Sequence, residues 1–145
     1  MFRKELAFLS NFYEAPFEIN GVKYKTVEHY FQSEKATGSK DKEKIINAKT
    51  PAEAKRLGKQ IELRSDWDEV KDQVMFDGIL NKFLQNKDIA EKLIKLEGEI
   101  VEYNKWHDNY WGFCLCKKCQ GRKKLNKTGK MLMEVRSLLK LQREW

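Results

Sequence analysis

Glu28, Gln32 and Lys35 are four and seven residues apart, spacings that return close to the starting direction on a helix turning by about 100° per residue. A carboxylate, an amide and an ammonium therefore share one stripe. In a partly buried cleft such a pair of charges can be held until a substrate arrives. On an open surface the same pair is an ordinary ion pair that contributes little. Both readings stand on these residues alone. Glu28 and His29 are neighbours, about 100° apart on a helix, which argues against a Glu-His catalytic couple in one pocket.

A second candidate region is His107-Asp108, followed by Trp111-Gly112 in a stretch dense with rings: Tyr103, Trp106, Tyr110, Trp111 and Phe113. An aspartate among rings can be desolvated into a base while the rings offer stacking surface to a nucleobase. Alternatively the rings are core and Asp108 caps a turn. Next comes Cys114-x-Cys116-x-x-Cys119. Three thiolates can serve zinc, with His107 as a possible fourth ligand. The second Cys-x-x-Cys or Cys/His pair of the usual structural site is missing, which favours reduced thiols beside lysines, sensitive to oxidation. No metal is expected on this reading. Serine-nucleophile elbows, Walker loops and Rossmann glycine fingerprints are all absent from the sequence.

The elements that must position these groups are legible in part. Phe17 and Ile19, then Val22 and Tyr24, alternate around Asn20-Gly21 and predict a tight hairpin. Thr26 predicts a cap for a helix over Val27 to Thr37, closed by Gly38. Thr50-Pro51-Ala52-Glu53 is a full N-terminal helix signature, with Gly58 as the end. Asp66 and Glu69 open a longer helix reaching Gln85-Asn86, and Asp88 with Glu91 a third ending near Gly98. Ile100 to Tyr103 is a short strand or an extended linker. Met131, Leu132, Val135, Leu138 and Leu139 predict a C-terminal amphipathic helix after Gly129. Five helices against two or three short strands make a helix-dominated α+β fold with a small β element.

The chain's 145 residues suit one domain, 1–145, with 41% hydrophobic and 12% aromatic residues excluding a disordered chain. No apolar run is long enough to span a membrane and no signal-peptide pattern opens the sequence, so a soluble, cytoplasmic protein is expected. An odd number of cysteines within six positions excludes a secreted disulfide framework and fits a reducing compartment. The net charge is +7. From Asn109 to Met133 there is no acid and there are seven cations, Lys117, Lys118, Arg122, Lys123, Lys124, Lys127 and Lys130, leaving 22 basic and 22 acidic residues elsewhere. Such a patch attracts phosphate, in a nucleotide or a nucleic acid backbone, or is simply a solvated loop.

Taken together, Phe8-Leu9-Ser10-Asn11-Phe12, Thr26 through Gln32, Lys35-Ala36, Ala54-Lys55 with Gly58, Trp67 with Lys71 and Met75, Lys82-Phe83 with Gln85-Asn86, Asp108 with Trp111-Gly112, and Gly129 with Leu132-Met133 and Val135-Arg136 resemble the NADAR, or YbiA-like, family over nearly the entire chain. The resemblance implies a helical α+β domain that cleaves N-glycosidic bonds between a base and a ribose that is phosphorylated or part of ADP-ribose. Two activities attach to the family: removal of ADP-ribose from guanine in nucleic acid, and hydrolysis of phosphoribosyl-aminopyrimidine intermediates of riboflavin synthesis. The expected partners are thus ADP-ribosylated nucleic acid, towards which the basic segment leans, or a phosphoribosylated small molecule.

Carried over by position, Glu28, Lys35 and Asp108 fall on catalytic or substrate-contacting sites and Trp67 and Trp111 on aromatic ones, with Ser10, Asn11, Phe12 and Gln32 lining the same pocket. Three positions depart from the pattern. Lys59 replaces the usual arginine after Gly58, turning a bidentate phosphate contact into a point charge, and Leu96 and Thr128 stand where threonine and leucine are usual. The implied chemistry needs no cofactor. A module that binds ADP-ribose or NAD without cleaving it, and a small nucleic-acid-binding protein with a zinc knuckle, are the competing classes.

Overall fold

In the computed structural model, residues 1–144 are described, and they divide into two units: residues 11–86, and residues 1–10 with the chain from 87 onward. In the first, β1 (Phe17–Ile19) and β2 (Val22–Tyr24) form the expected antiparallel hairpin, Phe17 opposite Tyr24 and Ile19 opposite Val22. Asn20 and Gly21 supply the turn with φ of +52° and +82°, the positive pair such a turn demands. The buried rings of Phe17 and Tyr24 meet Tyr30 of the following helix, with centroids 5.9 and 4.9 Å away.

Thr26 caps α1 (Val27–Glu34) through its hydroxyl, which accepts from the His29 amide at 3.1 Å. The helix stops at Glu34 rather than Thr37. Arg64 takes the carbonyls at its end, Nη1 donating to Glu34 O at 3.4 Å and the backbone N to Lys35 O at 2.9 Å, and Ala36 bridges to Leu63. Gly38 does not close α1 but precedes α2 (Ser39–Ile46), an element that composition conceals. Gly38 has no side chain with which to cap α2, and only Ile45 of the helix is buried, where it packs with Ala48, Ala54 and Leu57. Burial of that one apolar side chain anchors an otherwise charged helix.

α3 (Pro51–Gly58) starts where predicted, with Thr50 Oγ1 accepting from Glu53 N and Glu53 Oε2 from Lys49 N. α4 runs Trp67–Leu84. Its expected cap is corrected: the Asp66 side chain makes no cap bond, because both its oxygens take the Arg64 guanidinium, at 2.6 and 3.0 Å. α1 packs against α2, α3 and α4. The approach to α4 depends on Gly78, where a Cβ would lie 2.9 Å from the Tyr30 ring. Gln85 then clamps the hairpin, accepting from Glu18 N at 2.8 Å and donating to Glu18 O at 2.9 Å. Asn86 donates to Pro16 O and Lys82 O.

In the second unit a 3-10 helix (Lys4–Leu9) is followed, after residue 86, by α5 (Lys87–Lys95), β3 (Tyr103–Asn104), β4 (Phe113–Cys114), a 3-10 turn (Lys117–Cys119) and α6 (Lys127–Arg143). α5 packs on α6 through buried Ile89, Leu93, Leu132, Val135 and Leu139. β3 and β4 pair in parallel, Tyr103 opposite Phe113; of Ile100 to Tyr103, read as a short strand or an extended linker, only Tyr103 is β and the rest is linker. α6 begins before Gly129, not after it. A Cβ at Gly129 would stand 2.2 Å from the Ile100 carbonyl, so this glycine permits a close approach inside the first turn instead of ending a loop. Asn126, at φ +46°, holds the same crossing: its amide donates to Ile100 O and accepts from Glu102 N, both at 3.0 Å.

Candidate active site

The first unit brings Glu28, Gln32, Lys35 and Trp67 together. Glu28 is 7% exposed. Its backbone amide, an orphan donor of the first helical turn, is satisfied by Asn11 O at 3.1 Å. Its carboxylate accepts from Gln32 Nε2 at 2.9 Å. Burial pushes the Glu28 carboxyl above the usual range, and the Gln32 hydrogen bond and the charges of Lys55 and Lys35 pull partly against that. Gln32 is itself buried, and its Oε1 has no hydrogen-bond partner among the described residues. An amide rotated by half a turn would present that oxygen to a protonated Glu28.

Lys35, one turn further, lays its ammonium 5.5 Å from the centroid of Phe31 and 6.0 Å from that of Trp67. The two rings meet edge to face at 5.0 Å. Burial draws the Lys35 ammonium below its ordinary pKa, opposed by Glu28 and assisted by Lys55 and Lys59. No ion pair within 4 Å joins Glu28 to Lys35, so the surface-ion-pair reading is corrected. They are a buried carboxylate and a half-buried amine that interact across a gap. Such a pair is poised for proton or nucleophile chemistry rather than for static neutralisation. Lys55 on α3 and Lys59 just past its end are exposed; Lys55 and Lys35 act on the carboxylate and Lys59 on the Lys35 amine, so an anionic substrate group would be drawn there.

His29 takes no part in this couple. It is fully buried, with Nδ1 2.8 Å from Thr26 Oγ1 and Nε2 3.0 Å from the Ala48 carbonyl. A carbonyl only accepts, so Nε2 donates to Ala48 O; in the neutral ring that burial favours, Nδ1 then accepts from the Thr26 hydroxyl. Burial keeps its pKa below the ordinary histidine value. Asn11 is half-buried, with Nδ2 on Met75 Sδ at 3.4 Å, whereas Phe12 is 42% exposed. Ser10 ends the 3-10 helix of the other unit.

Asp108 and Trp111 also belong to that other unit. Asp108 Oδ1 accepts from the amides of Tyr110 and Trp111 at 3.1 and 2.9 Å, which is the turn-capping role of the two read from sequence. Asn104 holds the turn from behind, Nδ2 donating to Asp108 O at 2.7 Å and Oδ1 accepting from Asp108 N at 3.2 Å. The tryptophan's follower must be glycine here: a Cβ at Gly112 would lie 2.5 Å from Glu102 O.

Comparison with known proteins decides what kind of protein carries this geometry. The model of the NADAR domain matches residues 1–140. The chain belongs to the NADAR domain family. N-glycosidase Npun_R5314 of Nostoc punctiforme is 42% identical over 142 residues, covering 91% of this chain and 87% of that protein. N-glycosidase YbiA of Escherichia coli is 34% identical, covering 92% and 82%. The riboflavin biosynthesis protein VVA0006 of Vibrio vulnificus is 31% identical over 72% of this chain, which spans 29% of that longer protein. The NMR structure of E. coli YbiA superposes with a TM-score of 0.82 at 31% identity, over 99% of this chain and 83% of that one. The fold expected of a NADAR domain, helix-dominated α+β, is therefore the fold observed. No helix among the described residues is long and apolar enough to cross a membrane.

Three contributors to the site escaped sequence reasoning. Phe31 forms one wall for Lys35, and only its position between Glu28 and Lys35 hinted at it. Lys55, on α3, reaches the Glu28 field through the packing of α1 on α3, which no local pattern announces. Gly58 ends α3, as expected, but also makes room for Gln32, whose Oε1 would meet a Cβ there at 1.9 Å.

Proposed function

We propose that this NADAR domain, acting as one functional unit over residues 1–145, is an N-glycosidase that hydrolyses the bond between a phosphorylated ribose and a nitrogenous base, with ADP-ribosylated guanine in nucleic acid as the favoured substrate. The observation that carries the reading is the buried Glu28 carboxylate facing, without a contact ion pair, a half-buried Lys35 amine set against two aromatic rings. Cleaving a ribosyl C–N bond leaves positive charge on the sugar while the bond's electron pair departs with the base, which takes up a proton. Glu28 answers the first demand. Its carboxylate stabilises the cationic sugar and accepts a proton from the water whose oxygen adds to C1′; a raised pKa makes it a stronger base for that transfer.

Lys35 serves as cation for the departing base or, if the ribose ring opens with the base still on C1′, as the neutral amine that adds to C1′ and expels the base with the C–N electron pair and a proton, leaving an imine that one water hydrolyses to the free amine and the sugar aldehyde. Gln32 orients Glu28. Trp67 supplies ring surface, and Lys55 and Lys59 receive phosphate. Asp108 and Trp111 enter on the motif they share with the family, Asp108 holding its turn and serving as the second carboxylate; Ser10, Asn11 and Phe12 enter on the same ground. The names of the riboflavin-synthesis relatives support a second substrate, a phosphoribosyl-aminopyrimidine. The acid-free basic segment favours the nucleic-acid substrate.

The test offers both substrates to purified protein and follows released ADP-ribose or ribose phosphate. Glu28→Gln, Lys35→Ala and Asp108→Asn are expected to lose rate by about 100-fold or more with unchanged circular dichroism. Borohydride added during turnover is expected to trap an adduct on Lys35 if the imine forms. Full rate in both the Glu28 and Lys35 variants refutes the assignment, and tight binding of ADP-ribose without turnover of either substrate replaces it with a binding module.

A further inference from the structure

The loop between β3 and the start of α6 gathers four soft donors. His107, Cys114, Cys116 and Cys119 each offer one ligand atom, and those four atoms all lie within 4.8 Å of one another. His107 Nδ1 is 3.2 Å from Cys116 Sγ and 3.5 Å from Cys119 Sγ. With Zn–S near 2.3 Å and Zn–N near 2.0–2.1 Å, the edges of a tetrahedral Cys3His site are about 3.5–3.8 Å, so the donors already stand near the corners of one coordination sphere. We infer that this chain binds one zinc ion through His107 Nδ1 and the sulfurs of Cys114, Cys116 and Cys119, in a closed structural site that staples the loop carrying Asp108, Trp111 and Gly112.

Several independent features fit a metal better than free thiols. The backbone amides of His107 and Cys116 point at Cys114 Sγ, at 3.3 and 3.5 Å, the donation that a thiolate ligand attracts. His107 holds φ of +70°, an uncommon backbone for a residue with a side chain, and that conformation turns its imidazole towards the sulfurs. Lys124 Nζ donates to the carbonyls of Cys114 and Cys119, tying together the first and last cysteines from outside, as outer-shell partners of metal ligands do. Zinc with three thiolates and a neutral imidazole has a net charge of −1, and Lys117, Lys118, Arg122, Lys123 and Lys124 surround the loop in sequence. The acid-free basic segment thus has an anionic centre of its own to offset.

Donor number and spacing narrow the metal. Four protein donors leave no open position, as in structural rather than catalytic zinc. Thiolate with imidazole in a tetrahedron selects zinc over oxygen-loving cations, and donors this close surround one ion rather than a two-iron cluster. A disulfide between Cys116 and Cys119 would leave Cys114 and His107 converging on nothing. The missing second Cys-x-x-Cys pair, which argued against zinc in the sequence, is replaced by the fold: the β3–β4 pairing returns the chain so that His107, seven residues upstream, meets Cys114.

The test uses the full chain, reduced and stripped with chelator, titrated with Zn²⁺ and separately with Co²⁺. The expected result is one equivalent bound, with the intense thiolate-to-cobalt absorption of a tetrahedral site and slower proteolysis within 107–124. His107→Ala and Cys116→Ser, at exposed or half-exposed positions that need not disturb the core, are expected to weaken zinc by more than about 100-fold, and Lys124→Met by about 10–100-fold. No uptake by the reduced wild-type chain, a pale octahedral cobalt spectrum, or binding unchanged in both ligand variants overturns the inference. These readouts are independent of any glycosidase rate, so they stand or fall apart from the proposed reaction.

Discussion

Gly58→Ala is a one-methyl change, on a different helix from Glu28, that the geometry predicts will reach the Glu28 carboxylate, proposed above as catalytic, through Gln32. A Cβ at residue 58 would lie 1.9 Å from Gln32 Oε1 and 2.8 Å from its Cδ, whereas ordinary contact begins near 3.4 Å. Gln32 is 4% exposed and must swing away, which takes Nε2 off Glu28 Oε1, now 2.9 Å distant. A hydrogen bond to a charged group contributes about 1.5–3 kcal/mol, so the expected loss of rate at fixed pH on the acid limb is about 10–100-fold. Because that hydrogen bond helps to hold the carboxyl down, the acid limb of the rate profile moves to higher pH. Overpacking costs about 1–3 kcal/mol of stability.

With the Gln32 side chain cut back by Gln32→Ala, the same Gly58→Ala change meets only the remaining Cβ of residue 32, at 3.3 Å, a contact relieved by a few tenths of an ångström, and the helix gains up to about 1 kcal/mol from losing a glycine. The sign of the stability change therefore reverses between the two backgrounds. The assay is a double-mutant cycle, read by chemical denaturation and by rate–pH profiles of all four proteins. Additivity within about 0.5 kcal/mol, or an unshifted profile in the single Gly58→Ala variant, refutes the claim that Gln32 sets the ionisation of Glu28.

Two further predictions concern pH and stability. The folded pKa of Glu28 lies above its unfolded value because of burial, so the ionised form destabilises the fold. The penalty is absent well below about pH 4.5 and grows by up to ~1.4 kcal/mol per pH unit up to the folded pKa. Glu28→Gln is therefore expected to be more stable than wild type at pH 7, with the difference vanishing in acid; equal urea midpoints at pH 7 would contradict this. For His29 the folded pKa lies below the unfolded value near 6.5, again through burial, so the unfolded chain protonates first and stability falls as the pH drops below about 6.5. His29→Gln cannot titrate and is expected to lose less stability between pH 7.5 and 5 than wild type does.

Much of the scaffold was written locally. The Asn20-Gly21 turn, the Thr26 and Thr50 caps and the long apolar period of α4 are short-range devices, complete within a few residues, and each appears where its pattern stands. The α1 stripe of Glu28, Gln32 and Lys35 is equally local, since helical geometry alone sets it. What the chain could not disclose by itself are the facts that depend on which surfaces meet. α2 carries almost no apolar signal and exists because Ile45 finds Ala54 and Leu57 across the turn. α1 ends early because Arg64 takes the carbonyls of Glu34 and Lys35 and Ala36 bridges to Leu63. Asp66 abandons its cap for Arg64, a partner two residues upstream that is itself turned towards the end of α1.

The same division runs through the chemistry. Residue types and spacing determined that a carboxylate, an amide and an amine lie along one helix face. Only the packing of α3 and α4 around that helix decided that the carboxylate is buried and the amine rests on Phe31 and Trp67, because desolvation is a property of the surroundings and not of the residue. Gly58 and Gly129 read as punctuation in one dimension. In three they are gaps that admit Gln32 and the Ile100 carbonyl, since the absence of a side chain acquires meaning only from what occupies its place.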